Sequence, residues 1–451
     1  MNISGGLQMK KRWYSLGLSL LVFVIILAGC GNNEEASGSE NGSSEDKVTI
    51  KFHTWINNEV GKWDEVVAAF EEEHPDINVE VEPLVENMSH PDYLQKLDLL
   101  ASSGEQLDVF MFANSSEYVK RIEPGLVAPL DEFIEEEGLN VEEEYNYSYP
   151  KVDESYYGLP AKSSIRLVML NKDHLDEAGL PVPKEWTWDE YEEYAKKLTK
   201  GEGTDKQYGS YFYTWPDTFL ILKLLSKADS SSMINNDGSS NMDDPLLEAS
   251  LKLRYDMEQV DKTSVPLANT LSQKLDYRQQ FFTQSVSMVP IGSYMLTEWG
   301  EFTPDFTMAW APWPTNSEND PSYTQIGGDI MSIANNSKHK EEAYTFIRWM
   351  TTKGIEQQGV WTPSWNNADL EGVVDNLIST TSNPEAIDRE SFLYTIENSV
   401  PSEILLPQPY ATEAYNELNA QAELYLLGEQ DLETTLSNAK EKVEAIIDAN
   451  Q

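Results

Sequence analysis

From Val48 onward, apolar and polar positions follow short, regular patterns. Val48-Thr49-Ile50-Lys51-Phe52 alternates at period two and predicts a strand. Trp63, Val66, Val67 and Phe70 then share one face of a helix that starts near Val60 and is stopped by His74-Pro75-Asp76. Residues 77–81 predict a second strand, 93–101 an amphipathic helix closed by Ser103-Gly104, and 107–112 a third strand. This β-α-β-α-β order implies a mostly parallel sheet with right-handed crossovers. Helices at 114–121 and 127–136 follow, then a strand at 166–170. Thr187-Trp188-Asp189-Glu190 opens the next helix and fits the Ser/Thr-x-x-Glu capping pattern. Residues 208–301 read as mainly helical, with helices at 215–226, 245–260 and 273–283, a tight turn at Asn236-Asp237-Gly238 and a strand at 286–290. Strands at 306–311 and 330–333 and helices at 339–350, 384–397, 411–427 and 432–449 complete the chain.

Two stretches depart from this pattern. Residues 18–27 are apolar except for Ser19, follow Lys10, Lys11 and Arg12, and end in Leu27-Ala28-Gly29-Cys30. A basic region, an apolar run and small residues mark a signal peptide. The run is shorter than the roughly 20 residues of a spanning helix, which weighs against the alternative of a membrane anchor. Leu-Ala-Gly-Cys resembles the bacterial lipobox, which implies cleavage before Cys30 and acylation of its sulfur. Met9 to Arg12 would make a normal basic region alone, so Met9 is the expected start. Residues 31–46, GNNEEASGSENGSSED, contain no large apolar residue and read as a flexible tether. The expectation is a signal peptide at 1–29 and a lipidated tether at 30–46.

Composition narrows the remainder. The roughly 420 residues after the cut suit two domains. Seventy-seven acidic against 32 basic residues give a net charge of −45, which argues against nucleic acid and anionic membrane surfaces as partners. The acidity fits either a solubilising surface or saline or alkaline surroundings. A single cysteine, Cys30, leaves no disulfide framework and no thiolate metal site. No P-loop, dinucleotide-binding or nucleophile-elbow motif occurs. The five histidines (His53, His74, His90, His174 and His339) are scattered, and three beside turn or acidic residues read as surface positions. No metal or cofactor is expected. With so many carboxylates, a glycosidase-type pair carries little information.

Aromatic residues at predicted loop positions are more informative. Trp55 ends the first strand, Trp215 precedes Pro216, Tyr294 follows Gly292-Ser293, and Trp313 lies between prolines. Trp361 and Trp365 flank Thr362-Pro363-Ser364. Aromatic faces attract the C–H faces of sugars, and concave sites add a few placed polar groups. Any one of the six could equally be a core residue covering a loop.

Five stretches together resemble the bacterial extracellular solute-binding protein family 1, the lipoprotein receptors of carbohydrate ABC importers. They are VTIKFHTWINNEVGKWDEVVAAFEEEHPDINVEV (48–81), LDVFMFANSSEYVKRIEPGLVAPL (107–130), YGLPAKSSIRLVMLNKDHLDEAG (157–179), QQFFTQSVSMVPIGSYMLTEW (279–299) and IGGDIMSIANNSKHKEEAYTFIRWM (326–350). The resemblance implies an α/β, two-lobed periplasmic-binding-protein-like fold. Each lobe would be a mostly parallel sheet flanked by helices, with hinge strands between them. It places lobe one at 47–161 and 313–362 and lobe two at 162–312 and 363–451, with crossings near 159–164, 311–315 and 361–366. It further implies ligand contacts from Trp55, Asn57, Asn58, Asn114, Ser115, Tyr294, Gly328, Asp329 and Tyr410. Trp215, Trp313, Trp361 and Trp365 join them as aromatic candidates. Lys162 and Arg166, near the hinge, could hold ligand, or a structural ion pair with Asp329 could form instead. The implied protein is a monomeric, non-enzymatic receptor, lipid-anchored through Cys30 on the outer face of the bacterial cell membrane. It would bind a sugar, expected to be an oligosaccharide, and deliver it to ABC transporter permease subunits. The alternatives are a peptide or polyamine ligand, or a secreted carbohydrate-active enzyme.

Overall fold

Twelve strands are present among the described residues: β1 (Val48–Thr54), β2 (Ile77–Pro83), β3 (Val109–Phe112), β4 (Leu159–Pro160), β5 (Ser164–Asn171), β6 (Tyr208–Ser210), β7 (Val286–Gly292), β8 (Met308–Pro312), β9 (Tyr323–Thr324), β10 (Ile326–Gly327), β11 (Ile330–Ile333) and β12 (Val400–Pro401). They belong to a computed structural model that describes residues 47–450 apart from 87, 150, 230–232 and 236. The leader, Cys30, the tether up to residue 46 and Asn236 of the expected turn lie outside the described residues.

The first sheet has the order β2-β1-β3-β11-β4. β1 is parallel to β2 and β3, as the alternating β-α-β pattern requires. The crossover helix Trp63–Glu73 buries Trp63, Val66 and Phe70. Lys62, in the left-handed region at φ 48°, separates it from the short helix Asn58–Gly61, so the helix expected from Val60 is two pieces. His90–Ser103 forms the next crossover and ends at Gly104, whose φ of 78° a glycine adopts without strain.

The second sheet runs β10-β5-β7-β6, with β8 also on β5. Along β5, Val168 and Leu170 face a core built with the C-terminal helices, whereas Leu167 and Met169 face the core continuous with the first sheet. This period-two alternation lets one strand serve two cores. Both sheets are mixed. β11 runs antiparallel to β3 and β4, and β5 runs antiparallel to β7, β8 and β10. The reason is connectivity, because strands that enter from the opposite sheet arrive reversed.

The chain passes from the first sheet to the second between β4 and β5, and its return does not fall at 311–315. β8, β9 and β10 all stay with the second sheet or its neighbours, and the chain changes sheet only at Gly328-Asp329, between β10 and β11. Residues 313–327 therefore go with the second sheet, because Trp313 is drawn into its core against Trp188. In the third crossing, Ser163 N donates to Thr362 O and Ser364 N to Ala161 O, both at 2.8 Å.

Several local expectations change with packing. Residues 215–226 form a short helix, Pro216–Phe219, and a 3-10 turn, Leu224–Ser226, and the helix expected at 273–283 is the shorter Tyr277–Phe282, preceded by a separate helix Leu267–Gln273. The helices expected to end at Val260 and Met350 pass into π turns, Asp256–Val260 and Met350–Gly354. His53 and His174 are buried. His53 Nε2 meets Glu82 at 3.1 Å, and His174 Nδ1 meets Ser287 Oγ at 2.9 Å. The Thr187–Glu190 capping box is present as read.

Gly328 shows how tightly the crossings lie together. A Cβ there would stand 1.9 Å from the carbonyl oxygen of Lys162. Gly328→Ala is expected to lower stability by about 1–3 kcal/mol, the usual range for forced overpacking, measured as a lower urea midpoint.

Candidate functional site

The carboxyl ends of the parallel strands in both sheets come to the crossings. In the first sheet Phe112, the last residue of β3, is paired with Ile330, which directly follows Asp329. In the second, Gly292, the last residue of β7, is paired with Arg166, just beyond the first crossing. Open α/β sheets bind ligands outside such strand ends. The loops that leave them carry most of the candidate residues.

On the first sheet, Trp55 follows β1 and packs on His90, with ring centres 4.6 Å apart, and on Tyr93 at 5.4 Å. Only 8 % of Trp55 is exposed, so it offers little free surface. His90 Nε2 accepts from Ala113 N, and burial lowers its pKa to about 4, so the ring is neutral near pH 7. Tyr93 Oη reaches the carbonyl of Met111, which links this cluster to the crossings.

At the crossings, Ala161 N donates to Asp329 O at 2.8 Å, Tyr147 Oη to Lys162 O at 2.8 Å, and Tyr149 Oη to Gly328 O at 2.8 Å. Lys162 Nζ lies 3.1 Å from Glu298 Oε1 and 5.4 Å from the centre of the Trp361 ring. Glu298, not Asp329, is thus the ion-pair partner of Lys162. Burial works against the Lys162 charge, but Glu298 and Asp329 outweigh it and raise its pKa. Asp329 is buried, which lifts its carboxyl to about 6; Lys162 pulls the value down and Glu298 pushes it up. Lys162, Asp329, Trp361, Met111 and Phe52 line a recess barely large enough for a water molecule, so a larger ligand would have to lie over it.

Beyond the first crossing, Arg166 lies beside Trp215 and Tyr294. Its guanidinium carbon is 6.0 Å from the Trp215 ring centre. Tyr213 and Tyr277 each meet Trp215 at 5.4 Å with steep interplanar angles, and hold that ring in place. Tyr294, at the end of β7, is close enough for the Arg166 charge to act on its phenol, although burial dominates and raises its pKa. Trp215 and Tyr294 are half-buried.

Other candidates are placed differently. Asn57 and Asn114 cap helices by accepting from Val60 N and Glu117 N, and Asn58 is engaged with Asp64. Ser115 opens the helix that Asn114 caps. Trp313 is fully buried, and its Nε1 donates to Leu222 O, so it cannot act as a platform. Trp365 is fastened by Nε1 to Glu144 and bridged to Tyr145. Tyr410 precedes the helix Ala411–Leu426 and packs on the second core. A cavity of about 170 Å³ formed by Val182, Lys184, Trp310, Asp388 and Tyr394 shares no residue with the crossing cluster.

Tyr147, Tyr149, Tyr213, Tyr277, His90 and Glu298 were not among the sequence candidates. Tyr145-Asn146-Tyr147-Ser148-Tyr149 carried a usable signal, since alternate tyrosines at period two indicate an extended segment with one buried side.

The profile of the bacterial extracellular solute-binding proteins matches residues 57–357. The chain belongs to that family. The Multiple sugar-binding protein of Streptococcus mutans is 24% identical over 363 residues, covering 77% of this chain and 81% of that protein. The Arabinooligosaccharide-binding protein of Halalkalibacterium halodurans is 24% identical over 340 residues, covering 71% and 73%. Among solved structures, a sugar transporter protein of Rhizobium etli in an open conformation superposes with a TM-score of 0.71 at 22% identity, covering 88% of this chain and 99% of that one. An ABC substrate-binding protein of Listeria monocytogenes in complex with cycloalternan gives 0.69 at 20%, covering 89% and 99%. The fold of this family member is accordingly the two-lobed one.

The raised carboxyl of Asp329 has a definite sign. Its value rises from 3.8 to about 6 on folding, so ionisation is penalised in the folded state. The penalty is absent below pH 4, grows through pH 4–6 and is complete above it. Asp329→Asn should therefore gain stability relative to wild type as pH rises from 4 to 7.5, by up to about 3 kcal/mol, read from unfolding curves without ligand.

Proposed function

We propose that this chain is a receptor that captures an oligosaccharide between its two lobes and hands it to an ABC importer. The observation that carries the reading is the hinge-facing arrangement of Trp215, Tyr294, Arg166, Lys162 and Asp329. One accessible aromatic ring lies beside charged and hydroxyl groups, at the strand ends where such folds take ligands. The sugar-binding relatives support the same ligand class. Capture requires no bond to be made or broken, and the reading assigns no catalytic residue. Closure follows if ligand contacts both lobes at once, since only differential affinity for the closed state shifts the population.

The aromatic roles divide by exposure. Trp215 is the platform, Trp55 and Trp361 brace the two sides of the hinge, and Trp313 is core. Glu298 holds Lys162 in position beneath the ligand.

Attachment belongs to the same reading. Cleavage before Cys30 and diacylation at its sulfur would tie a monomeric receptor to the outer face of the membrane. Two or more chains hold where a single one binds only marginally.

Three measurements test this. Against a panel of neutral and acidic oligosaccharides, a ligand should raise the melting temperature and bind one to one by calorimetry, with no product released on prolonged incubation. Trp215→Ala should weaken that binding by about tenfold or more with the fold retained, whereas Trp313→Ala should destabilise the protein by roughly 3–5 kcal/mol; equal affinity in Trp215→Ala removes the platform role. In cells, Cys30→Ser should move the protein from the membrane fraction to the soluble fraction.

A further inference from the structure

Arg166 differs from the other arginines among the described residues. Arg121 pairs with Asp98 and Glu117, Arg254 with Glu258, Arg278 with Glu298, Arg348 with Glu137 and Glu144, and Arg389 with Glu371 and Asp375. In a chain with 77 acidic residues, that is the expected condition of an arginine. Arg166 alone among them has no carboxylate within 4 Å. Its Nε reaches Gln325 Oε1 only at 3.5 Å, and its two Nη groups have no hydrogen bond to protein among the described residues. The nearby carboxylates are committed elsewhere. Glu298 lies between Lys162 Nζ at 3.1 Å and Arg278 Nη2 at 3.8 Å, Asp276 accepts from Arg278 N, and Asp329 is buried.

Position adds to this. Arg166 is half-buried at the hinge end of β5, paired through its backbone with Gly292. Its guanidinium rests by the Trp215 ring, which Tyr213 and Tyr277 hold from two sides. A guanidinium set against an aromatic face keeps its fork of donors directed elsewhere, and that planar fork matches a carboxylate with two parallel hydrogen bonds. A neutral hydroxyl uses only part of it.

We propose that the ligand is an acidic oligosaccharide whose uronic acid carboxylate is taken by the Arg166 guanidinium while a neighbouring sugar ring lies on Trp215. This rests on the sugar-receptor reading above and narrows it. The carboxylate supplies the negative partner that the chain, despite its acidity, does not place beside Arg166. The overall negative charge of the protein repels such a ligand at long range, so the local cation is what makes its capture selective.

The test uses short oligogalacturonates and xylo-oligosaccharides bearing one glucuronic acid, each compared with its carboxyl-reduced counterpart and with sulfated neutral oligosaccharides. Calorimetry on the mature protein should show at least one uronate ligand binding about tenfold or more tighter than its carboxyl-reduced form. Arg166→Gln should remove that difference, costing the uronate about tenfold more affinity than its carboxyl-reduced form. Arg166→Lys, which keeps the charge but not the fork, should recover only part of it. Unchanged melting temperatures in both variants without ligand show that the fold is intact; if Arg166→Gln unfolds, Arg166→Lys decides. Equal affinity for acid and reduced forms, equal losses for both in Arg166→Gln, or a preference for sulfate esters over uronates overturns the inference while the sugar reading stands. Binding of no oligosaccharide of any kind overturns both.

Discussion

Three strands of backbone cross between the two sheets side by side, and they satisfy one another's hydrogen bonds. Ala161 donates to Asp329 and accepts from Ser364, and Ser163 donates to Thr362. Backbone polar groups buried outside regular structure need such partners, because each one left unpaired costs about as much as a lost hydrogen bond. The carbonyls of Lys162 and Gly328 are met by the hydroxyls of Tyr147 and Tyr149, and Tyr147 also reaches that of Asp329. The crossing at Gly328 is close enough to exclude any side chain. The relative placement of the candidate residues depends on this junction. Arg166 and Lys162 are fixed because they flank the first crossing, and Asp329 because it forms the second.

Charge is organised around the same junction. The chain is strongly acidic, and its buried or half-buried cations are mostly used as fasteners, as in the buried Arg254–Glu258 pair or Arg348 between Glu137 and Glu144. At the crossings the pattern changes. Lys162 is held by Glu298 across from Trp361, Asp329 is buried at the cost of easy ionisation, and Arg166 is supported by an aromatic ring. Structural ion pairs elsewhere close on themselves. At the crossings Arg166 has no carboxylate partner among the described residues.

Much of the fold was legible because it rests on local periodicity. The strand at β1, the Trp63–Glu73 crossover, the Thr187 capping box and the C-terminal helices are all encoded by neighbours a few residues apart. The ordered set of five stretches led to the family that the profile match then established. Errors arose where long-range contact decides. The helix expected at 215–226 is broken because Trp215, Phe219 and Leu222 are claimed by different neighbours: Arg166 and Tyr277, the second core, and the Trp313 indole.

The sequence by itself determined the α/β class, the strand ends from which the loops depart, and the aromatic and charged residues available there. Period and local capping depend on the chain's own geometry, so they can be read without a partner. Only the tertiary structure decided which aromatics are accessible. Trp313 and Trp215 look alike in sequence, each at a loop beside proline, yet one is sealed against Trp188 and the other stands beside Arg166. It also decided that Lys162 pairs with Glu298, far away along the chain, and that the second crossing falls at Gly328-Asp329. Burial and pairing are set by what the rest of the chain brings to a position, and a residue type with its immediate neighbours does not specify that.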